Sequence, residues 1–312
     1  MSKTTTGVIL ALLFIAFEAV QTVYFGGLFQ RMSTFLFGTL VFGTIIILFV
    51  GWTAFNKPEA IRAALANPGP LLGVNLCAVM TFTCFLMSVQ LIEPAITYTV
   101  SAGTLPIVTW ALHRLGIRGG ENMRNRFETA GTLLLAASIV FLSIATIAGA
   151  SGFVRGDTWS AALGILLAML DGAFFTLIVV YSQRLGTVGV GPTAIMGLRL
   201  PLYVLFAGTL TTLGVDARDP LPLTEIVFVV IIGVLLTAPP LWFMQKAVER
   251  VSTLTISSIA ALGPFAIFAL QLVEGRVDYA TATLIGISIY AVAALLAVYG
   301  ALRAVMSDPP SS

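Results

Sequence analysis

The sequence predicts an all-α integral membrane protein of ten transmembrane helices, arranged as two inverted five-helix repeats with both termini cytoplasmic. Three observations lead there. The 312 residues are 58% hydrophobic and 10% charged, with a mean hydropathy of +1.01, where a soluble domain carries about 25% charged residues. Ten apolar stretches can be drawn at about 20 residues per span. The basic residues then fall overwhelmingly on one side.

In order, the stretches lie near 6–28, 33–54, 70–90, 94–115, 127–149, 158–182, 192–213, 223–244, 252–273 and 279–301. The first opens after Lys3 and resembles a signal peptide up to Phe17, but it runs past Glu18 to about Phe29 without a small-residue cleavage site, so it is expected to stay as a span. The connections are short and carry turn residues: Asn67-Pro68-Gly69 before the third, Gly119-Gly120 before the fifth, Gly189–Pro192 before the seventh and Asp219-Pro220 before the eighth. With the N-terminus in the cytoplasm, that side holds Lys3, Lys57, Arg62, Arg114, Arg118, Arg124, Arg126, Arg184, Lys246, Arg250 and Arg303. The other side holds Arg31, Arg155, Arg218 and Arg276, and Arg199 is left inside a span. One span more or fewer would scramble this asymmetry, so the positive-inside rule supports ten.

An internal repeat divides the chain into residues 1–150 and 151–303, with a short cytoplasmic tail at 304–312. Pro106, Ala111 and Leu112 of the fourth stretch answer Pro264, Ala269 and Leu270 of the ninth. Upstream, Thr97, Thr99 and Ser101 answer Thr255, Ser257 and Ser258, and Thr34 and Gly38 answer Thr193 and Gly197. Five is odd, so the second half enters the membrane from the opposite side. Inverted repeats are an architecture of secondary transporters, with the binding site near the midplane between the repeats.

Charged side chains inside spans are the candidates for function. Glu18 lies about eleven residues into the first stretch and Asp171 about twelve into the sixth; at about 1.5 Å per residue both reach the middle of a core about 30 Å thick. A charge there costs about 2.5–3.5 kcal/mol even on the cheapest scale. Either acid can be read as a helix–helix hydrogen-bond partner, Glu18 with Gln21 one turn away. Either can equally carry a proton or meet a substrate amine, and two acids in one cavity would share a proton. Arg199 either snorkels to lipid phosphates or pairs with Asp171 or a substrate carboxylate. Thr97, Tyr98 and Ser101, just ahead of Pro106, are cavity candidates, with Phe174 a possible aromatic wall. Pro106, Pro239, Pro240 and Pro264 each free a carbonyl four residues back and mark candidate kinked, cavity-lining helices. Trp110 and Trp242 fit interfacial belts.

The chemistry excludes other classes. There is no phosphate-binding Gly-rich loop and no His-Glu-x-x-His pair, and the single histidine, His113, has no metal-binding partner nearby in sequence. No cofactor is expected and the chain is not expected to be an enzyme. A net charge of +2 without a basic run gives no sign of nucleic-acid binding. Cys77 and Cys84 are about 10 Å apart along one helix, too far for a disulfide.

Several motifs carry a family resemblance. Gly156-Asp157 followed by Ala161, Ala162, Leu163, Leu166, Leu167 and Ala168, then Tyr181-Ser182-Gln183-Arg184-Leu185-Gly186, is similar to the opening of the second repeat in the drug/metabolite transporter superfamily, in particular the ten-helix EamA-like bacterial exporters. Arg199, Pro264 and Gly286 fall where that family often carries such residues. The chain departs from the family in its first helix, Ala16-Phe17-Glu18-Ala19-Val20-Gln21, and lacks a glutamate near Arg114–Gly120. The resemblance implies a multi-pass inner-membrane carrier that exports a small metabolite or amino-acid-like solute. Its partners would be that solute, the lipid bilayer and, for a coupled carrier, protons. A non-transporting structural or receptor membrane protein, or a facilitative channel-like importer, remains open on sequence. Substrate, direction and oligomeric state are not fixed by it.

Overall fold

The computed structural model describes residues 3–117, 119–248, 250 and 259–307. These form helices α1 (Lys3–Leu28), α2 (Thr34–Asn56), α3 (Pro58–Leu65), α4 (Pro68–Leu91), α5 (Pro94–Arg114), α6 (Arg126–Ile147), α7 (Thr158–Gly186), α8 (Pro192–Leu198), α9 (Pro201–Thr212), α10 (Leu223–Val248), α11 (Gly263–Glu274) and α12 (Thr281–Ser307). Among the described residues nine segments are long and apolar enough to cross a membrane, α8 and α9 together making one of them. The expected ninth span is described only as α11, 12 residues; Thr255, Ser257 and Ser258 of the repeat, Arg118 and residues 308–312 lie outside the described residues.

Local chemistry sets the helix boundaries. Ser33 caps α2 by accepting from the Leu36 amide, Asn125 caps α6 by accepting from Phe127 and Glu128, and Asp157 caps α7 through Ser160, the residue types that satisfy free N-terminal amides. Prolines open α3, α4, α5, α8 and α9, where a missing N–H costs nothing. Gly275 closes α11 at φ 82°, a left-handed conformation that glycine adopts without strain. Helix α3, a short amphipathic turn of helix between the second and third spans, was not expected from the sequence.

The outer surface is greasy: Ile47, Leu133, Ile144, Leu205, Leu235 and Val292 are all exposed, an apolar belt that fits lipid and not water. The largest core cluster gathers Phe25, Phe29, Phe37, Phe42 and Tyr203 from α1, α2 and α9. Helix packing follows a pattern between spans. α1 packs on α10 and α4 on α7; α5 packs on α7 and α1 on α11; α2 packs on α10 and α4 on α9; α2 meets α9, α5 meets α11 and α6 meets α12.

The prolines behave in two ways. Pro106 lies inside a continuous α5, and Pro239 and Pro240 lie inside a continuous α10. Pro264 instead begins α11, after a turn at residues 261–262. A further interruption separates α8 from α9 at Arg199–Leu200. Pro201 has no N–H to give to Gly197, and Leu200 makes only a long 3.4 Å bond back to Gly197. Asn75 of α4 enters the gap: its Nδ2 donates to the Leu198 carbonyl at 2.8 Å and its Oδ1 accepts from the Leu202 amide at 3.2 Å. One side chain thus satisfies both backbone groups that the break would otherwise leave bare inside an apolar interior.

Candidate functional site

Among the described residues, the Glu18 and Asp171 carboxylates and the Arg199 guanidinium lie well within the long apolar helical segments. Asp171 is buried at the middle of α7 and accepts a 2.6 Å hydrogen bond from Ser101 Oγ of α5. The two helices can approach this closely because Gly172 lies against the Ser101 carbonyl and Thr104, where any Cβ would collide. Glu18 is half-buried on α1 and lies within electrostatic reach of both Asp171 and Tyr98. Tyr98 packs against Gly263 and the start of α11, in a cluster with Ala19, Val23 and Phe265. Glu18, Tyr98, Ser101 and Asp171 therefore form one group, contributed by α1, α5 and α7. Gln21, one turn along from Glu18, does not bond to it; its Nε2 reaches Thr237 Oγ1 on α10 at 3.5 Å, close to Pro239. Thr97 is fully buried and exchanges a 2.9 Å hydrogen bond with Ser88, which also donates to the Gly164 carbonyl, so its hydroxyl ties α5 to α4 and α7.

Arg199 lies at the α8–α9 break, half-buried, with its guanidinium carbon 5.8 Å from the centre of the Phe82 ring. Phe82 and Phe174 flank the same core cluster between α4 and α7. No ion pair between Arg199 and Asp171 forms: none of the ion pairs among the described residues includes Arg199.

The two ends of the bundle differ. At one end five connections are tied together by polar side chains. Glu93, fully buried before α5, accepts from Gln271 Nε2 of α11, from Thr283 Oγ1 of α12 at 2.8 Å and from the Gly152 amide at 2.9 Å. Gln271 Oε1 accepts in turn from the Ala95 amide. Arg276 stacks on Phe153 at 4.5 Å and lies 3.5 Å from Glu274, with Gly26 of α1 pressed against its guanidinium. Burial pushes the Glu93 carboxyl above its ordinary value, against the opposing pull of Thr283, Gly152, Gln271 and the Arg276 charge. Burial likewise lowers Arg276, against the opposing charge of Glu274. A second knot centres on Asp216, which takes a left-handed φ of 57°. It accepts from the Thr34 amide at 2.9 Å, from Gln90 at 3.1 Å and from Arg218 at 2.6 Å. Arg31 and Glu225 pair beside it at 2.6 Å. The α4–α5 turn also pairs backbone to backbone with the α6–α7 loop, Arg155 N donating to Leu91 O at 2.8 Å.

At the opposite end a cavity of about 390 Å³ lies between α5, α7 and the turn at Gly119–Glu121, lined by Leu105, Thr109, Thr176 and Gln183 among others. Leu105 is one turn beyond Ser101 and Thr176 little more than one turn beyond Asp171, so the cavity approaches the Ser101–Asp171 pair from that end. Of the residues singled out in the sequence, the structure brings Glu18, Tyr98, Ser101 and Asp171 together and pairs Arg199 with neither acid. Sequence reasoning missed Glu93 and Asp216, which are flanked by turn residues and read as ordinary loop carboxylates, and it missed Asn75. Among the described residues no group of three His, Cys, Asp or Glu side chains is placed to hold a metal. Cys77 and Cys84 are free and buried.

No family model matches the chain and no curated protein matches it. Its fold is similar to that of a solved chain described only as "Crystal structure of protein", with a TM-score of 0.61 and 20% identity over 96% of this chain and 98% of that one. This likeness concerns the fold alone.

Proposed function

We propose that this multi-pass membrane protein is a secondary carrier of the drug/metabolite transporter superfamily, of the ten-helix EamA-like kind, that exports a small metabolite or amino-acid-like solute across the inner membrane by alternating access. The observation that carries the reading is the group formed by Glu18, Tyr98, Ser101 and Asp171 deep between α1, α5 and α7. Two acids held together far from either surface have a large desolvation cost and little packing value. They suit a site that exchanges a proton for a cationic group, because neutralising either one relieves the repulsion between them.

The packing pattern supports two inverted five-helix repeats. Numbering the spans one to ten, the most extensive contacts between spans have partners under exchange of span n with span n+5, while smaller ones such as α1 with α4 and α6 with α7 do not. α1 on α10 corresponds to α7 on α4, α5 on α7 to α11 on α1, and α2 on α10 to α9 on α4. The pairs α2 with α9, α5 with α11 and α6 with α12 map onto themselves. Alternating access is the motion such a two-fold pair allows. With the N-terminus in the cytoplasm, the tied end faces away from the cytoplasm and the 390 Å³ cavity faces it, an inward-facing arrangement.

The test is movement of labelled amino acids and metabolites in proteoliposomes under an imposed pH gradient. Gradient-driven flux that is lost in Glu18→Gln or Asp171→Asn supports a coupled carrier. Flux indifferent to the gradient leaves a facilitator, and no flux of any solute counts against the carrier.

A further inference from the structure

The α8–α9 break holds a guanidinium to which no carboxylate is paired among the described residues. The Arg199 Nε is buried and has no hydrogen-bond partner among the described residues. The guanidinium carbon lies 5.8 Å from the centre of the Phe82 ring, and a cation–π contact offsets only part of the desolvation of a guanidinium. Asn75 already occupies the Leu198 carbonyl and the Leu202 amide. Among the described residues no anion is paired with the Arg199 guanidinium. One guanidinium, with a planar fork of donors, matches a single carboxylate better than a multiply charged phosphate.

The acids stand elsewhere. Asp171 is engaged by Ser101 and shares its surroundings with Glu18. Phe174, one turn along α7 from Asp171, packs into the same cluster as Phe82, the ring under Arg199. Among the described residues Arg199 pairs with neither acid, and the rings beside the two poles, Phe82 and Phe174, pack into one cluster.

Resting on the carrier reading for the identity of the site, we infer that the site takes a zwitterion whose two charges are separated by an apolar chain. The carboxylate meets Arg199, the ammonium meets the Glu18–Asp171 pair, and the chain lies along Phe82 and Phe174. An α-amino acid carries both charges on neighbouring atoms and reaches only one pole at a time.

The test is equilibrium binding to the purified full chain in lipid nanodiscs, with labelled ε-aminocaproate as the probe. Its isomer norleucine, together with hexylamine and hexanoate, serves as competitor. ε-Aminocaproate is expected to bind saturably, and each competitor to displace it at least about tenfold less well than unlabelled probe. Arg199→Gln is expected to weaken ε-aminocaproate by at least about tenfold while leaving labelled hexylamine unchanged. Displacement by norleucine or hexylamine as effective as by the probe, unaltered binding in Arg199→Gln, or no saturable binding at all would overturn the inference. The competitor series on the unaltered chain decides the matter even where the variant fails to fold. Counterflow in proteoliposomes separates the two claims. Binding as expected without counterflow removes the carrier and keeps the site, whereas counterflow that discriminates nothing between the isomers does the reverse.

Discussion

Glu93 concentrates three donors on one buried carboxylate: Gln271 Nε2, Thr283 Oγ1 and the Gly152 amide. Removing the acceptor leaves these groups facing a dry interior, each at about 1–3 kcal/mol. Glu93→Ala is expected to lower stability by about 3 kcal/mol or more, read as a fall in thermal midpoint in detergent. Thr283→Val, which removes one donor, is expected to cost about 1 kcal/mol. The same residue gives a pH dependence. Its pKa is raised in the tied arrangement, with burial the largest cause and Arg276 the charged neighbour, whereas an opened, hydrated end would return it toward 4.5. Tying the end therefore takes up a proton. The tied arrangement has its full advantage at pH values below 4.5 and loses it as pH rises through the raised value. Spin labels at Trp159 and Asp219 should report a larger separation as pH rises, and Glu93→Gln should abolish that trend; a separation that grows on acidification would contradict it.

At the scale of elements, the α8–α9 break rests on Asn75. Asn75→Ala exposes the Leu198 carbonyl and the Leu202 amide together, and is expected to cost about 2–4 kcal/mol. Asn75→Asp keeps only the acceptor and should recover part of the loss; equal stability of all three proteins would mean that the break needs no partner. The α5–α7 crossing is equally specific. A side chain at Gly172 would run into Ser101, so Gly172→Val should separate Ser101 from Asp171 and weaken solute binding, measurable in the same nanodisc assay. How much of this was legible in the sequence follows from the range of the forces involved. Spans, caps and the interior positions of Glu18, Asp171 and Arg199 are written in local hydropathy and in turn residues. The continuous course of α5 through Pro106 shows that one proline in a long apolar helix is tolerated. The interruption at Pro201 depends on a partner 123–127 residues away, and no local pattern announces such a contact. The same holds for Glu93, whose partners come from three other connections and helices, and for α3, whose eight residues are too few to give a periodic signal of their own.

For the whole molecule, the carrier reading turns the polar ties at one end into a moving part. With Cys77 and Cys84 replaced by alanine, paired cysteines at Arg31 and Glu225, 2.6 Å apart through their native side chains, should be joined by a short thiol cross-linker. Joining them is expected to abolish solute flux while leaving binding from the cavity end intact; flux that continues after cross-linking would show that this end need not open. Under the carrier reading, the proposed exchange of span n with span n+5 has its own consequence for energetics. In the sequence register set by Pro106 and Pro264, Val251, which lies outside the described residues, answers Glu93, and His113 answers Gln271. The carboxylate at the centre of the knot is thus not repeated in the sequence of the other half. Two arrangements related by that two-fold exchange then sit in wells of unequal depth, and an idle molecule favours the deeper one. Gradients alone still decide where net movement stops, but half-saturating concentrations measured from the two faces of the membrane should differ, and Glu93→Ala should bring them closer together.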